Sequence, residues 1–171
     1  MWTFAAVVAT AAVLTGAASA AACPGADSAP ARLSPGERVS VMVCLFNGER
    51  AARGLAPVAP DARLRRAARR HSADMVSDHY FAHPSPSGAS FVQRIARSGF
   101  LRRRAHWHVG EVLAWGSGAL ATPRSIVAAL MNSPRHRRII LGAFRAVGVG
   151  VALGVPFSGA DGATYTADFG S

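Results

Sequence analysis

His83, Glu111 and His136 are the residues whose types could do chemistry together. Two imidazoles and one carboxylate are a set that a divalent ion such as zinc accepts with one coordination position left open, and they equally make an acid/base pair without metal. Glu111 stands out by pattern. In "HWHVGEVLAW", Trp107, Val109, Glu111, Leu113 and Trp115 share one face of an extended strand, so a carboxylate lies in an apolar row. A carboxylate kept there is either a site residue or is satisfied by an arginine or backbone partner. His106 and His108 fall on the opposite face and are assigned to the surface.

The two histidines are weaker signals. His83 lies in "SDHYFAHPSPSG", where a helical pattern runs out into Pro, Ser and Gly, and it is either a cleft group or a cap on the last carbonyls. His79 and His83 have the i,i+4 spacing that places two imidazoles on one metal. Pro84 argues against a continuous helix there, and no Glu follows His79, so this is not a zinc-protease motif. His136 follows "SPR" in the first turn of a helix. Ser133 beside it is a conceivable nucleophile, but its place before Pro134 reads better as a helix cap.

The elements that must position these groups are legible. Ser34-Pro35-Gly36-Glu37 is a capping box with proline at the first helical position, and Val39, Met42, Val43 and Phe46 then recur at helical spacing. Asp61 caps a second helix with a stripe of Leu64, Ala68, His71 and Met75, which puts His71 on its buried side. Ser90 and Gln93 open a third helix that ends at Gly99, and Thr122-Pro123 and Ser133-Pro134 open two more. At the end, "AVGVGVALG" alternates valine with glycine before "ATYTADFG", a hairpin whose glycine face would let another element approach its backbone closely. Helices, one strand, more helices and a hairpin make an α+β layered domain.

Composition bounds the rest. "MWTFAAVVATAAVLTGAASA" is too short and too rich in small residues to span a bilayer comfortably and ends in Ala18-Ser19-Ala20, so residues 1–20 read as a cleaved secretory signal. Cys23 follows three alanines and lacks the leucine of a lipoprotein box, which argues against a lipidated form. In an exported chain the pair Cys23 and Cys44 is expected to be bridged, pinning an arm at 21–33 against the first helix; without export, two buried free thiols are the alternative. A single domain at 34–171 follows. The net charge of +10 comes from 19 arginines and no lysine. Such a field favours anionic cell-envelope partners, although a GC-rich genome over-supplies the same residues. With no aromatic interleaving and no zinc-finger or helix-turn-helix signature, nucleic acid is not the expected partner.

The stretches "LFNGERAARGLAPVAPDARLRRAARRHSADM", "YFAHPSPSG", "GEVLAWGSG", "MNSPRHRRIIL", "VGVGVA" and "YTADFG" occur in the order and spacing of the CAP superfamily. The chain resembles its bacterial secreted, SCP-like branch over residues 38 to 170. The resemblance implies a three-layer α-β-α sandwich with a central cleft. His83 and His136 match the family's two histidines, which hold a divalent metal in some members, and Glu111 matches the acid of its Gly-Glu motif. His71 would support them, and Asn47 and Arg50 would tie the first helix to a neighbouring loop. Three positions depart from the pattern. Ser133 stands where the animal and plant branches carry a second acid, Val112 where the family has Asn in the cleft, and Leu130 where it has Trp. The implied function is a secreted, non-enzymatic module that binds a lipid or cell-envelope component, with an optional divalent ion at His83 and His136. The alternative is a metal-dependent hydrolase, peptidase-like, with Glu111 as general base.

Overall fold

Helix α1 (Pro35–Ala51) begins where its capping box places it: Ser34 Oγ accepts from the Glu37 N–H, and Glu37 accepts in return from the Ser34 N–H. The computed structural model describes residues 23–102, 105–157 and 161–171, so the signal read at 1–20 lies outside the described residues. The chain continues through β1 (Ala59–Pro60), α2 (Ala62–Ser77), α3 (Phe91–Arg97), β2 (Val109–Ser117), α4 (Pro123–Asn132), α5 (Pro134–Ile140), β3 (Ala146–Leu153) and β4 (Gly162–Gly170). Among the described residues no helix is long and apolar enough to cross a membrane.

The strands form one sheet in the order β1-β3-β4-β2. β3 and β4 make the expected hairpin, β2 pairs antiparallel to β4 at one edge, and β1 pairs parallel to β3 at the other. Two residues of β1 carry no period for sequence reading to find. Strand β2 is shorter at its start than the alternation suggested, and Trp107 lies ahead of it. Trp107 and Trp115 are both exposed.

Helices cover both faces of the sheet. On one side α1, α4 and α5 bring Met42, Phe46, Ile126, Leu130 and Ile140 against Val112, Val147, Val149, Tyr165 and Phe169. On the other, Leu64 and Ala67 of α2 and Ile95 of α3 pack with Phe100 and Val109. The glycines of β3 explain how α2 gets so close. A Cβ on Gly148 would run into the backbone of Leu64 and Arg65, and one on Gly150 into that of Ala68 and Arg69. This is the α-β-α sandwich that the resemblance implies.

The arm before α1 is held at several points. Cys23 and Cys44 are bonded with Cα atoms 5.8 Å apart, Ala26 packs with Val41, the Ala26 carbonyl accepts from the Arg124 N–H, and Arg38 Nε donates to the Pro30 carbonyl. Asn47 and Arg50 make the ties expected of them. Asn47 exchanges hydrogen bonds with both backbone groups of Val58, while buried Arg50 donates to the carbonyls of Ala56, Ile140, Gly142 and Phe144. One guanidinium thereby fixes both the α1–β1 loop and the turn from α5 into β3. Leu130, in place of the family's tryptophan, is an ordinary member of the core.

Candidate functional site: a buried carboxyl pair beside an edge cleft

Alternation along β2 decides which way its groups face. Gly110 and Val112 turn toward α5 and the α1/α4 core, whereas Val109 and Glu111 turn toward α2 and α3. Val112 is therefore a core residue on the far side of the sheet from Glu111. The expectation that it strips a polar group from the cleft is corrected by this register.

Glu111 is 2% exposed, and each of its oxygens is engaged. Arg94 Nη2 of α3 donates to Oε2 at 2.6 Å, and His83 Nδ1 lies 2.8 Å from Oε1. A carboxylate only accepts, so the His83 Nδ1–H is the donor and Nε2 is the ring nitrogen outside this bond. Arg94 is held in turn, its Nη1 donating to the Ala89 carbonyl at 3.1 Å and to Ser85 Oγ at 3.3 Å. The His83 side chain is 44% exposed, in contrast to the carboxylate it rests on.

The second acid is Asp168. Directly across the ladder from Glu111, on β4, it is 1% exposed, and its Oδ1 has no hydrogen-bond partner among the described residues. Burial pushes its carboxyl well above the usual carboxylate range. The Glu111 charge and a hydrogen bond to Glu111 push the same way, and Arg94 opposes them. With one guanidinium facing two buried carboxyls, the same causes favour a proton held on Asp168 beside Glu111. Asp168 lies outside every sequence expectation for the site, and the signal that marks Glu111 is missing for it: in "ATYTADFG" the carboxylate shares its strand row with the polar Thr164 and Thr166 rather than with apolar residues. Arg94 had no such signal, being one arginine among 19.

His71 is fully buried behind the loop that carries His83. Its Nε2 lies 3.0 Å from the Ala82 carbonyl and its Nδ1 3.3 Å from the Tyr80 hydroxyl. The carbonyl only accepts, so Nε2–H donates to it and the Tyr80 O–H donates to Nδ1. Burial holds the His71 pKa below its ordinary value, and Arg94 adds to this, against the opposing pull of Glu111. A neutral histidine thus anchors residues 80 to 82 just before His83.

The remaining candidates sit farther out. His136 is half-buried on α5, and its pKa is lowered by burial and by the nearby His83 and Arg135. It makes none of the hydrogen bonds that join His83, Glu111 and Arg94. Ser133 occupies the N-cap position of α5, but its side chain makes no capping bond, which corrects the cap reading to one of position only. His79 turns away to the Pro156 carbonyl.

A cleft of about 530 Å³ runs along the β2 edge, walled by Phe91, Val109, Ile139 and Phe144, with His83, Glu111, Arg138 and His108 as its polar members. His108 is exposed as expected, yet it borders this cleft by stacking on Phe144 with ring centroids 5.2 Å apart. Neither Trp107 nor Trp115 fills it.

Metal ligation by His83, His136 and Glu111 does not fit these side chains as a three-donor set. Both Glu111 oxygens already accept hydrogen bonds, and among the described residues no group of three or more His, Cys, Asp or Glu is arranged to hold an ion.

Residues 43–160 match the family model described as CAP, the cysteine-rich secretory protein family. The chain belongs to that family. Over 124 residues, 72% of its length, it is 38% identical to the uncharacterized protein YkwD of Bacillus subtilis (strain 168), of which it spans 45%. The fold is similar to that of an extracellular protein containing a SCP domain from Bacillus anthracis, with a TM-score of 0.62 and 24% identity over 80% of this chain and 43% of that one. It is also similar to an outer surface protein of Borrelia burgdorferi, with a TM-score of 0.65 and 18% identity over 81% of this chain and 96% of that one. These structural neighbours support the sandwich architecture described above.

Proposed function

We propose that this CAP domain is an exported binding module whose edge cleft takes up an amphiphilic component of the cell envelope, with lipid as the leading class. The observation that carries the reading is the composition of the cleft: four apolar or aromatic walls with polar groups, His83 and Arg138, among them. Such a site suits an acyl or other apolar body with a polar head. Export is supported by the signal-like residues 1–20, by the Cys23–Cys44 bond, and by the extracellular and outer-surface descriptions of the two structural neighbours. The net charge of +10 would draw the module to anionic envelope surfaces.

The test is a titration with short-chain phosphatidylglycerol below its micellar concentration, following the His83 and His108 imidazole resonances. Saturable shifts that disappear in Phe91→Arg support the reading; unperturbed histidines at saturating lipid refute it. No cofactor is required. A divalent ion on His83 and His136 would be an addition, and equal zinc affinities for wild type, His83→Ala and His136→Ala would remove it.

A second reading, a hydrolase, draws on one observation. Glu111 orients His83 so that Nε2 can accept a proton, the relation of acid to base in a catalytic triad. In that reading His83 is the base and Glu111 its positioning residue, a change from the general-base role first expected of Glu111. Turnover of envelope peptides that His83→Ala leaves unchanged would end it.

A further inference from the structure

The edge cleft lies beside the first residues of β2; the opposite end of the sheet carries most of the exposed apolar bulk. Five large hydrophobic residues are exposed among the described residues, and four of them, Trp115, Leu120, Leu153 and Phe157, lie where β2 and β3 end and β4 begins. Leu120, on the 3-10 turn Gly118–Ala121, is 71% exposed, and Phe157 is 63% exposed. Trp115 and Phe157 meet edge to face with ring centroids 6.2 Å apart and form a knob. At the same end lies a hollow of about 570 Å³ with apolar walls from Pro30, Val76, Ala121, Leu153 and Val155, and with His79 and Asp161 as its polar members. The Gly118 N–H donates to the Asp161 carbonyl at 3.2 Å, the Gly154 N–H to that of Gly162 at 2.8 Å, and His79 Nδ1 lies 3.2 Å from the Pro156 carbonyl. These bonds tie the turns together, so knob and hollow are held as one platform.

Charge divides the molecule along the same axis. Five arginines in α2, two in α3 and three in α5 lie toward the other end, where α2 begins over Gly148, α3 packs with Val109 and α5 reaches Gly110. The elements that close the apolar end carry Arg32, Arg38 and Arg124 against Asp27, Glu37, Asp78 and Asp161, with Arg124 and Asp27 paired at 2.7 Å. This end is therefore close to neutral in a chain of net charge +10. A contiguous apolar patch with a polar rim marks an interaction surface. An anionic bilayer would pull on the arginines and so draw in the opposite end. A second copy of this chain meets no such conflict. Nine residues of β4, at about 3.4 Å each, set the basic end about 30 Å from the patch, several screening lengths away at physiological salt.

We propose that this end is a self-association surface, forming a two-fold dimer in which the Trp115 and Phe157 knob of each copy docks on the hollow of the other. Knob and hollow on one surface are what a two-fold contact needs, since each copy then gives and receives the same contact and the assembly closes at two. The rim carries both signs of charge, so Asp27 and Asp161 can face Arg32 and Arg124 across the axis. The basic ends point away from each other. Both edge clefts stay open, one at each outer end of the dimer.

The experiment is sedimentation equilibrium on the chain from residue 21 onward, as export would leave it, with the Cys23–Cys44 bond formed. A monomer–dimer equilibrium is expected with a dissociation constant on the order of 10 µM and no larger species. Phe157→Glu with Leu120→Glu, both at exposed positions that the fold does not use, should weaken the dimer about tenfold or more. Trp107→Glu removes the fifth exposed hydrophobic, which lies ahead of β2 at the other end, and should leave the constant as in wild type. Phe91→Arg should do the same, which separates this surface from the edge cleft. In Trp107→Phe the one tryptophan left after residue 20 is Trp115, whose emission should move to the blue as the dimer forms. A monomer at about 1 mM, unchanged association in the Phe157→Glu and Leu120→Glu double variant, loss of the dimer in Trp107→Glu or Phe91→Arg, growth past the dimer, or a monomer captured by phosphatidylglycerol vesicles through Phe157 would each overturn the proposal.

Discussion

Replacing Asp168 by asparagine tests whether the buried pair holds a proton. Asparagine keeps the shape of a protonated aspartate and still presents a donor to Glu111. It differs in that it cannot ionise. In the wild type the folded pKa is raised, chiefly by burial, from a reference of 3.8. The native state then binds one more proton than the unfolded chain across the window above that reference. A raised folded pKa contributes stability that is fully present below about pH 3.8 and is lost as pH climbs through the folded value. One proton corresponds to about 1.4 kcal/mol per pH unit. The wild type minus Asp168→Asn stability difference should therefore fall by about that much per unit from about pH 4.5 upward, until the folded carboxyl ionises. At the acid end the two proteins should lie within about 1.5 kcal/mol of each other, the worth of one ordinary hydrogen bond. Urea denaturation followed by circular dichroism at half-unit steps from pH 4.5 to 8 supplies the curves, with constant m-values showing that the states compared are the same. Other titrations, including that of His71, are common to both proteins and cancel. Parallel curves would refute the shared proton.

Four further outcomes follow from the same contacts. Glu111→Gln removes the carboxylate that, alone among the described residues, is bonded to the largely buried Arg94 and should cost about 3–5 kcal/mol in urea denaturation; a loss under 1 kcal/mol would show that the guanidinium finds water. Replacing Cys23 and Cys44 by alanine opens a ring with a sequence separation of 21 and should cost about 3 kcal/mol, measured against the oxidised wild type. Gly150→Ala drives a methyl group into the backbone of Ala68 and Arg69 and should cost about 3 kcal/mol or more, unlike Gly48→Ala, whose Cβ meets nothing. His71 is held neutral by burial, so wild-type stability should decline as pH falls below about 6.5, where the unfolded imidazole takes up a proton that the folded one refuses; His71→Gln should lose that part of the decline.

Periodicity carried the sequence reading a long way, and the places where it stopped share a cause. Capping boxes at Ser34 and Ser90, the stripe of α2 and the glycine face of β3 are local patterns, and each one appears in the fold because local geometry alone produces it. Glu111 was legible for the same reason: alternation puts it in an apolar row whatever the rest of the chain does. Its partners were not, because Arg94 and Asp168 reach it from a helix and a strand that only the tertiary register brings alongside. Alternation on β4 gives Asp168 a polar row with Thr164 and Thr166, so only the pairing of Glu111 with Asp168 makes it a second acid in the same place. That pairing also explains how a site can have two carboxyls when the position before the second histidine holds Ser133. Strand pairing sets the second acid beside the first without help from α5, and it leaves His83 and Glu111 as the members of the group that line the cleft, with His83 the more exposed of the two. In the proposed hydrolase reading a proton would pass through the His83 Nε2 atom, with Glu111 and Arg94 setting which way that ring points and Asp168 lying behind them.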